Sequence, residues 1–270
     1  MFRKVLIANR GEIAVRVIRT CRMMGVRTVA IYSDADRDSL HVKLADQSFR
    51  VGHSFPKESY LNARRIIGIA RKAGAEAIHP GYGFLSENPD FAGACESAGI
   101  RFIGPRSRTL KKTGNKVECR RTLKKAGFPV LAASDKIIDD IDGAGPVAEE
   151  IGYPVLLKSA FGGGGRGIRE ARDRRELREN FRSARSEAER SFGKPGLYVE
   201  KLVRPARHIE FQVISDGRGK TIHLGERECS IQRRHQKLLE LTPSPALDEV
   251  SRKRIGELAV RVAKSLDYEN

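Results

Sequence analysis

Apolar runs of strand length alternate with apolar positions at helical spacing along the first part of the chain. "KVLIAN" (Lys4 to Asn9) is a short unbroken apolar run and reads as a buried strand. In "GEIAVRVIRTCRMMG" the apolar residues recur every three or four positions, which predicts a helix that Gly25 is placed to end. "RTVAIYS" and "FRVG" read as strands, "YLNARRIIGIARKAG" as a helix, "AEAIH" as a strand, "NPDFAGACESAG" as a helix and "IRFIG" as a strand. Such alternation predicts a parallel sheet with right-handed crossovers, reaching to about Pro105.

This first unit has the outline of a Rossmann-like fold without its cofactor signature. Only Gly11 follows the first strand, so the G-x-G-x-x-G fingerprint is absent there. "SDAD" after the second strand could supply a ribose-binding Asp; helix capping by Ser33, Asp34 or Asp36 is the simpler reading.

From about Leu110 the pattern changes. "RTLKKTG", "NKVECRRTLKKAG" and "AGPVAEEIG" read as helices, "YPVLLKS" as a strand, "GIREA" as a short strand before a long helix, and "LYVEKLV" as another strand. "RHIEFQVISDGRGKTIHLGERE" predicts a hairpin about Asp216 to Gly219. "DEVSRKRIGELAVRVAKSLDY" predicts a final amphipathic helix. The second half is therefore mixed α and β with antiparallel pairs, and the chain has no internal repeat.

Within "LLKSAFGGGGRGIRE", the run Gly162 to Gly165 costs stability when ordered. A P-loop is excluded by order: Lys158 precedes the glycines and Arg166 follows them. Gly162, Gly164 and Gly167 match G-x-G-x-x-G as a string, but a strand follows where that fingerprint needs a helix. A flap between two strands fits better. Its backbone N–H groups would close over phosphates, with Lys158 as a fixed charge. A plain linker is the bland alternative.

The hairpin strand adds to this. Period 2 puts Ile209, Phe211 and Val213 on one face and His208, Glu210 and Gln212 on the other. That polar face could meet water or line a nucleotide cleft. "ECSIQRRHQK" brings Gln232, Arg233, Arg234, His235 and Lys237 close together, as a solvated basic turn or an anion site.

The net charge of +17 raises two readings, a nucleic-acid binder or an enzyme handling anions. Basic residues are spread along the chain among acids, and no nucleic-acid motif stands out, so the second is preferred. Nothing resembles a membrane span. Cys21, Cys95, Cys119 and Cys229 are scattered, which argues for a reducing, cytoplasmic setting and against a zinc site or disulfide framework.

Taken in order, "IANRGEIAVRVIR", "HPGYGFLSEN", "FIGP", the Lys116 neighbourhood, "LLKSAFGGGGRGIR", "YVEKLV", "RHIEFQV" and "ERECSIQRRHQK" resemble the biotin carboxylases of the ATP-grasp superfamily. The likeness runs along essentially the whole chain. It implies an α/β fold class. A Rossmann-like, pre-ATP-grasp domain would fill residues 1–110. An incomplete α+β ATP-grasp domain would fill residues 111–270, with a glycine-flap lid at about 131–203. It also implies a reaction, the ATP-dependent carboxylation of biotin on a biotin carboxyl carrier protein. Bicarbonate attacks the γ-phosphate, carboxyphosphate breaks down to CO2, and the biotin ureido nitrogen captures it.

Roles follow from the resemblance position by position. Lys116 and Lys158 would contact ATP phosphates, with Gly164 and Gly165 in the flap above them. Glu200, Lys201, Leu202 and Val203 would hold adenine. His208, Gln232 and His235 would line the nucleotide site, and Lys237 would contact bicarbonate as the catalytic residue. "HPGYGFLSEN" is read as a structural loop. A carboxyltransferase subunit and a homodimeric partner are implied; nucleic acid and membrane are not.

Three departures qualify the likeness. Asn115 precedes Lys116 where many relatives carry an acid, with little effect expected. Leu241 and Thr242 replace an acid and an Ala, which bears on the surroundings of Lys237. The chain also ends at "SLDYEN", where relatives continue into strands with the Mg²⁺ ligands, the catalytic arginine, the acid thought to deprotonate bicarbonate and the biotin-contacting arginine. The expectation is thus a shortened biotin carboxylase with no metal ligand of its own and an exposed sheet edge. The alternative is a non-catalytic nucleotide-binding module; a different ATP-grasp ligase ranks below both.

Overall fold

A computed structural model describes residues 1–162 and 167–270, and the chain divides into two compact units. Unit 1 holds Met1–Lys111 with Glu269–Asn270; unit 2 holds Lys112–Tyr268.

Unit 1 is a parallel sheet in the order β3-β2-β1-β4-β5, from β1 (Lys4–Ile7), β2 (Arg27–Ser33), β3 (Gln47–Gly52), β4 (Ala77–His79) and β5 (Arg101–Phe102). Crossovers run through α1 (Gly11–Met23), the short α2 (Leu40–Leu44), α3 (Ala63–Ala73) and α4 (Pro89–Ser97). Both faces of the sheet are covered, so β1 buries Val5, Leu6 and Ile7 alike, as an interior parallel strand must. Leu6, Ile31, Ile66, Ile78 and Phe91 pack on one side; Ile7, Ala14 and Ile18 pack on the other.

In the "SDAD" segment no side-chain cap forms, and both carboxylates are engaged by neighbouring side chains. Ser33 makes no cap hydrogen bond. Asp34 is held by Arg50 at 2.6 Å and His53 at 3.1 Å, which keeps its carboxyl down at about 2. Asp36 is buried and accepts from Tyr60 Oη at 2.7 Å, Ser33 Oγ at 2.8 Å and Arg10 Nη1 at 3.1 Å. In "HPGYGFLSEN", Asn9 Nδ2 donates to Pro80 O and Tyr82 O, both at 2.8 Å. A Cβ on Gly81 would lie 2.7 Å from that nitrogen, and Gly81 has a φ of +66°, so the loop requires glycine.

Unit 2 contains two antiparallel three-stranded sheets. The first has the order β7-β6-β8, from β6 (Val155–Ser159), β7 (Arg169–Ala171) and β8 (Leu197–Lys201). α7 (Ile141–Ile151) and α8 (Arg174–Phe192) pack on it around Val155, Leu157, Leu177, Phe181 and Val199. A strand does follow the glycine run, and the helix begins only after its cap Asp173. The string match to G-x-G-x-x-G is therefore without its structural context. α5 (Ser107–Gly114) and α6 (Lys116–Lys125) precede this sheet, and Asn115 caps α6 by accepting from Glu118 N–H.

The second sheet has the order β11-β10-β9, from β9 (Ile209–Ser215), β10 (Thr221–Arg233) and β11 (Gln236–Leu241), with α9 (Glu249–Ser265) packed on it. The turn after β9 is where expected; Asp216 Oδ1 accepts from the N–H groups of Arg218 and Lys220. β10 runs past Glu228 to Arg233, and β11 is a strand the periodicity does not reveal. Ile214, Ile222, Leu224, Ile231, Leu238, Leu239 and Leu241 of this sheet stand exposed. Among the described residues, no helix is long and apolar enough to cross a membrane.

Candidate functional site

The side chains singled out by sequence form two groups within unit 2. The first surrounds the end of β6. Strand alternation buries Val155, Leu157 and Ser159 and turns Leu156 and Lys158 to the other face. β6 pairs with β8 so that Lys158 faces Tyr198 and Leu156 faces Glu200. Lys158 Nζ meets Glu200 Oε1 at 2.6 Å, with the carboxylate almost fully buried, and sits 5.9 Å from the centre of the Tyr198 ring. Lys116 arrives from the start of α6. Its backbone N–H donates to Ala160 O at 3.0 Å, and its Nζ donates to Ser159 O at 3.3 Å and to Gly162 O. Two ammonium groups thus flank the point where the chain enters the glycine run. Gly164 and Gly165 lie outside the described residues.

Glu200 to Val203 do not act as one set. The Glu200 side chain faces Lys158. Lys201 Nζ donates to Gly152 O at 2.7 Å and Tyr153 O at 3.2 Å, so that side chain braces the end of α7. The backbone N–H groups of Lys201 and Leu202 donate to Ala132 O and Pro154 O. Val203 is exposed.

The second group lies on the sheet β11-β10-β9. Glu210 accepts from Lys237 Nζ at 2.6 Å and Arg227 Nε at 2.9 Å. His208 Nδ1 lies 2.7 Å from Gln232 Nε2, and His208 Nε2 lies 3.6 Å from Glu210 Oε2. Gln232 and Lys237 are cross-strand partners. Burial pulls the Lys237 ammonium down, but hydrogen bonding and charge from Glu210 outweigh it, and its pKa ends above the usual lysine value. Burial pushes the Glu210 carboxyl up, and Lys237 and Arg227 bring it below the usual range. His235 is not part of this group. It occupies the two-residue turn Arg234–His235, both at positive φ (51° and 64°), and is exposed.

Residues 1–110 match the family described as "Biotin carboxylase, N-terminal domain", and residues 115–270 match "Carbamoyl-phosphate synthase L chain, ATP binding domain". The chain belongs to the biotin carboxylase family. It is 52% identical over 268 residues to Biotin carboxylase 1 of Bacillus subtilis (strain 168), covering 99% of this chain and 60% of that protein. It superposes with a TM-score of 0.97 on the biotin carboxylase domain dimer of Hydrogenobacter thermophilus 2-oxoglutarate carboxylase, solved with MgADP, ADP and bicarbonate. That pair is 50% identical over all of this chain and 59% of the solved one. Biotin carboxylase from Campylobacter jejuni, in a complex with β,γ-ATP, matches with a TM-score of 0.96 at 46% identity, over 100% of this chain and 60% of that one. The chain spans about 60% of the length of the curated biotin carboxylases it matches.

Within this biotin carboxylase framework, sequence reasoning placed Glu210 on the polar face but missed Arg227 and Glu240. Arg227 Nε lies 3.5 Å from Glu240 Oε2, and Lys237 Nζ lies 4.0 Å from Glu240 Oε1. Arg227 sits one strand across from Glu210, and that register was the signal available. The departures at Leu241 and Thr242 leave Lys237 untouched. Leu241 is exposed, and Thr242 Oγ1 donates to Glu226 O.

Mg²⁺ is the metal this family implies. Among the described residues one trio of donor atoms gathers within 4.8 Å: Glu210, Cys229 and Glu240. Burial, and then the Glu210 charge, push the Cys229 thiol up and keep it protonated, and Glu210 is already committed to Lys237 and Arg227. Mg²⁺ takes an octahedron of oxygen donors, so this trio does not fit it.

Proposed function

We propose that unit 2 binds ATP and bicarbonate as part of a biotin carboxylase, and that the complete enzyme carboxylates biotin on a carrier protein. The observation that carries this reading is the pair Lys116 and Lys158 at the entrance of one glycine run, with Lys158 set by a buried carboxylate. In phosphoryl transfer the protein mainly positions groups and neutralises charge. Lys116 and Lys158 would do this for the phosphates. Lys237, paired with Glu210, would do it for bicarbonate, whose oxygen displaces ADP from the γ-phosphorus to form carboxyphosphate. Loss of phosphate then frees CO2, which the deprotonated biotin ureido nitrogen attacks.

Glu200 to Val203 would meet adenine through backbone and Glu200, since the Lys201 side chain is engaged elsewhere. His208 and Gln232 would line the same cleft, while the His235 side chain would border it at most. A carrier protein, a carboxyltransferase subunit, a homodimeric partner and a cytoplasmic setting complete the reading. The residues over about 131–203 would form the lid. No step is assigned to a metal, because the described donor set does not suit Mg²⁺. A second reading of this chain is ATP binding without turnover.

Titration calorimetry with ATP tests the first claim. Binding should be measurable, and Lys158→Met should weaken it tenfold or more, a scale that fits loss of a charge-assisted phosphate contact. No heat of binding at millimolar ATP would overturn it. Bicarbonate-dependent ADP release then separates the two readings.

A further inference from the structure

Helix α6 carries Lys116 at its first position but has little apolar anchorage. Among its ten residues only Val117 is buried. Besides the Asn115 cap and the Lys116 N–H bond to Ala160 O, it is held by side-chain cations at i, i+4 and i+8, which lie on one side of a helix. Lys116 reaches Ser159 O and Gly162 O. Arg120 Nη2 donates to Leu131 O. Lys124 Nζ lies 3.4 Å from Asp135 Oδ2. Both members of that last pair are about 60% exposed, so it contributes little.

Beyond Lys116, Arg120 is therefore the cation of α6 whose contact reaches a neighbouring backbone segment. Its acceptor, Leu131, begins a stretch that runs along β8. Lys201 N–H donates to Ala132 O at 2.8 Å, Ala133 bridges to Glu200, and Ser134 N–H donates to Val199 O at 2.8 Å. β8 in turn carries Glu200, the counter-ion of Lys158. One guanidinium thus joins the helix that begins at Lys116 to the segment bracing the strand that sets Lys158. We infer that Arg120 is a positioning residue for the nucleotide site, acting through Lys116 by fixing α6 against the segment that pairs along β8.

The inference rests on the proposed ATP site, and a double-mutant cycle read by ATP calorimetry separates the two. Arg120→Met should weaken ATP binding about tenfold, the scale of one charge-assisted hydrogen bond. Arg121→Met should change it less than about twofold, because Arg121 is exposed and has no partner among the described residues. The variant carrying both Lys116→Met and Arg120→Met should bind no more weakly than Lys116→Met alone. Such non-additivity marks action through Lys116, and a merely structural loss would instead multiply. Wild-type affinity in Arg120→Met, or losses that multiply, would overturn the inference. A wild-type chain that fails to bind ATP would overturn the site itself. Should Arg120→Met not fold, Arg120→Lys runs the same cycle with a smaller expected loss of about threefold, since it keeps the charge and loses the fork.

Discussion

Glu210 receives two cations at once, and it raises the Lys237 pKa above the usual lysine value. Burial alone would depress the Lys237 pKa; Glu210 reverses the sign. Replacing Glu210 with Gln keeps the shape and removes the charge. The Lys237 pKa should then fall, and ¹³C-methyl lysine NMR across pH 7 to 11 would read this as a titration moved to lower pH. An unmoved midpoint would mean Glu240 suffices. Two imidazoles in unit 1, His41 buried and His79 half-buried, give a second pH effect. Burial pulls His79 down, and its Nδ1 accepts from Gly81 N–H at 3.0 Å. Burial also pulls His41 down, and its Nδ1 has no hydrogen-bond partner among the described residues. Both folded pKa values lie below the unfolded value of about 6.5, so the unfolded chain binds more protons as pH falls. The stability present above that value should decline below it, by up to about 1.4 kcal/mol per pH unit for each imidazole. Urea midpoints at pH 7.5 and 5.5 test this, and His79→Asn should remove its share of the difference.

Elements differ in how plainly the sequence announces them. The parallel sheet of unit 1 was legible because its central strands β1 and β2 carry apolar runs and its helices end at glycines such as Gly74. The β9–β10 hairpin was legible through Asp216 and Gly217 at its turn. β11 was not. "QKLLEL" has no period-2 alternation, and its turn places Arg234 and His235 at positive φ where Asn-Gly would be the usual signal. Of the site, Lys158, Lys237, Glu200 and Glu210 could be read from the chain, but not that Glu200 pairs with Lys158 or that Arg227 joins Lys237 on Glu210, because these partners come from neighbouring strands whose register is a tertiary fact. The same holds where α9 meets β10. Glu226 is almost fully buried and accepts from Arg252 Nε at 2.7 Å and from Ser244 N–H at 3.1 Å. A Cβ on Gly256 would lie 2.5 Å from the His223 ring, so glycine permits this close approach. Arg252→Met would leave the Glu226 carboxylate without its cation. We expect a loss of about 3 kcal/mol, the low end for a broken buried pair because Arg252 still reaches water. Denaturant unfolding measures it, and a loss below about 1 kcal/mol would mean Ser244 alone satisfies Glu226.

At the scale of the whole molecule, each unit has a core of its own. Unit 1 is built on Leu6, Ile31, Ile66 and Phe91, and unit 2 on Val155, Leu157, Leu177 and Phe181. Chains with separate cores commonly depart from two-state unfolding. Calorimetry should therefore resolve two thermal transitions. The proposed nucleotide site lies entirely within unit 2, so ATP should move one transition and leave the other in place. At a hundredfold excess over Kd the gain is about 2.7 kcal/mol. For a unit of this size that is a shift of roughly 6 to 10 °C. Isolated residues 1–111 supply the assignment, since their transition should coincide with the ATP-insensitive one. A single transition that ATP moves as a whole would mean that the two cores unfold cooperatively, and that nucleotide binding is felt by the parallel sheet as well.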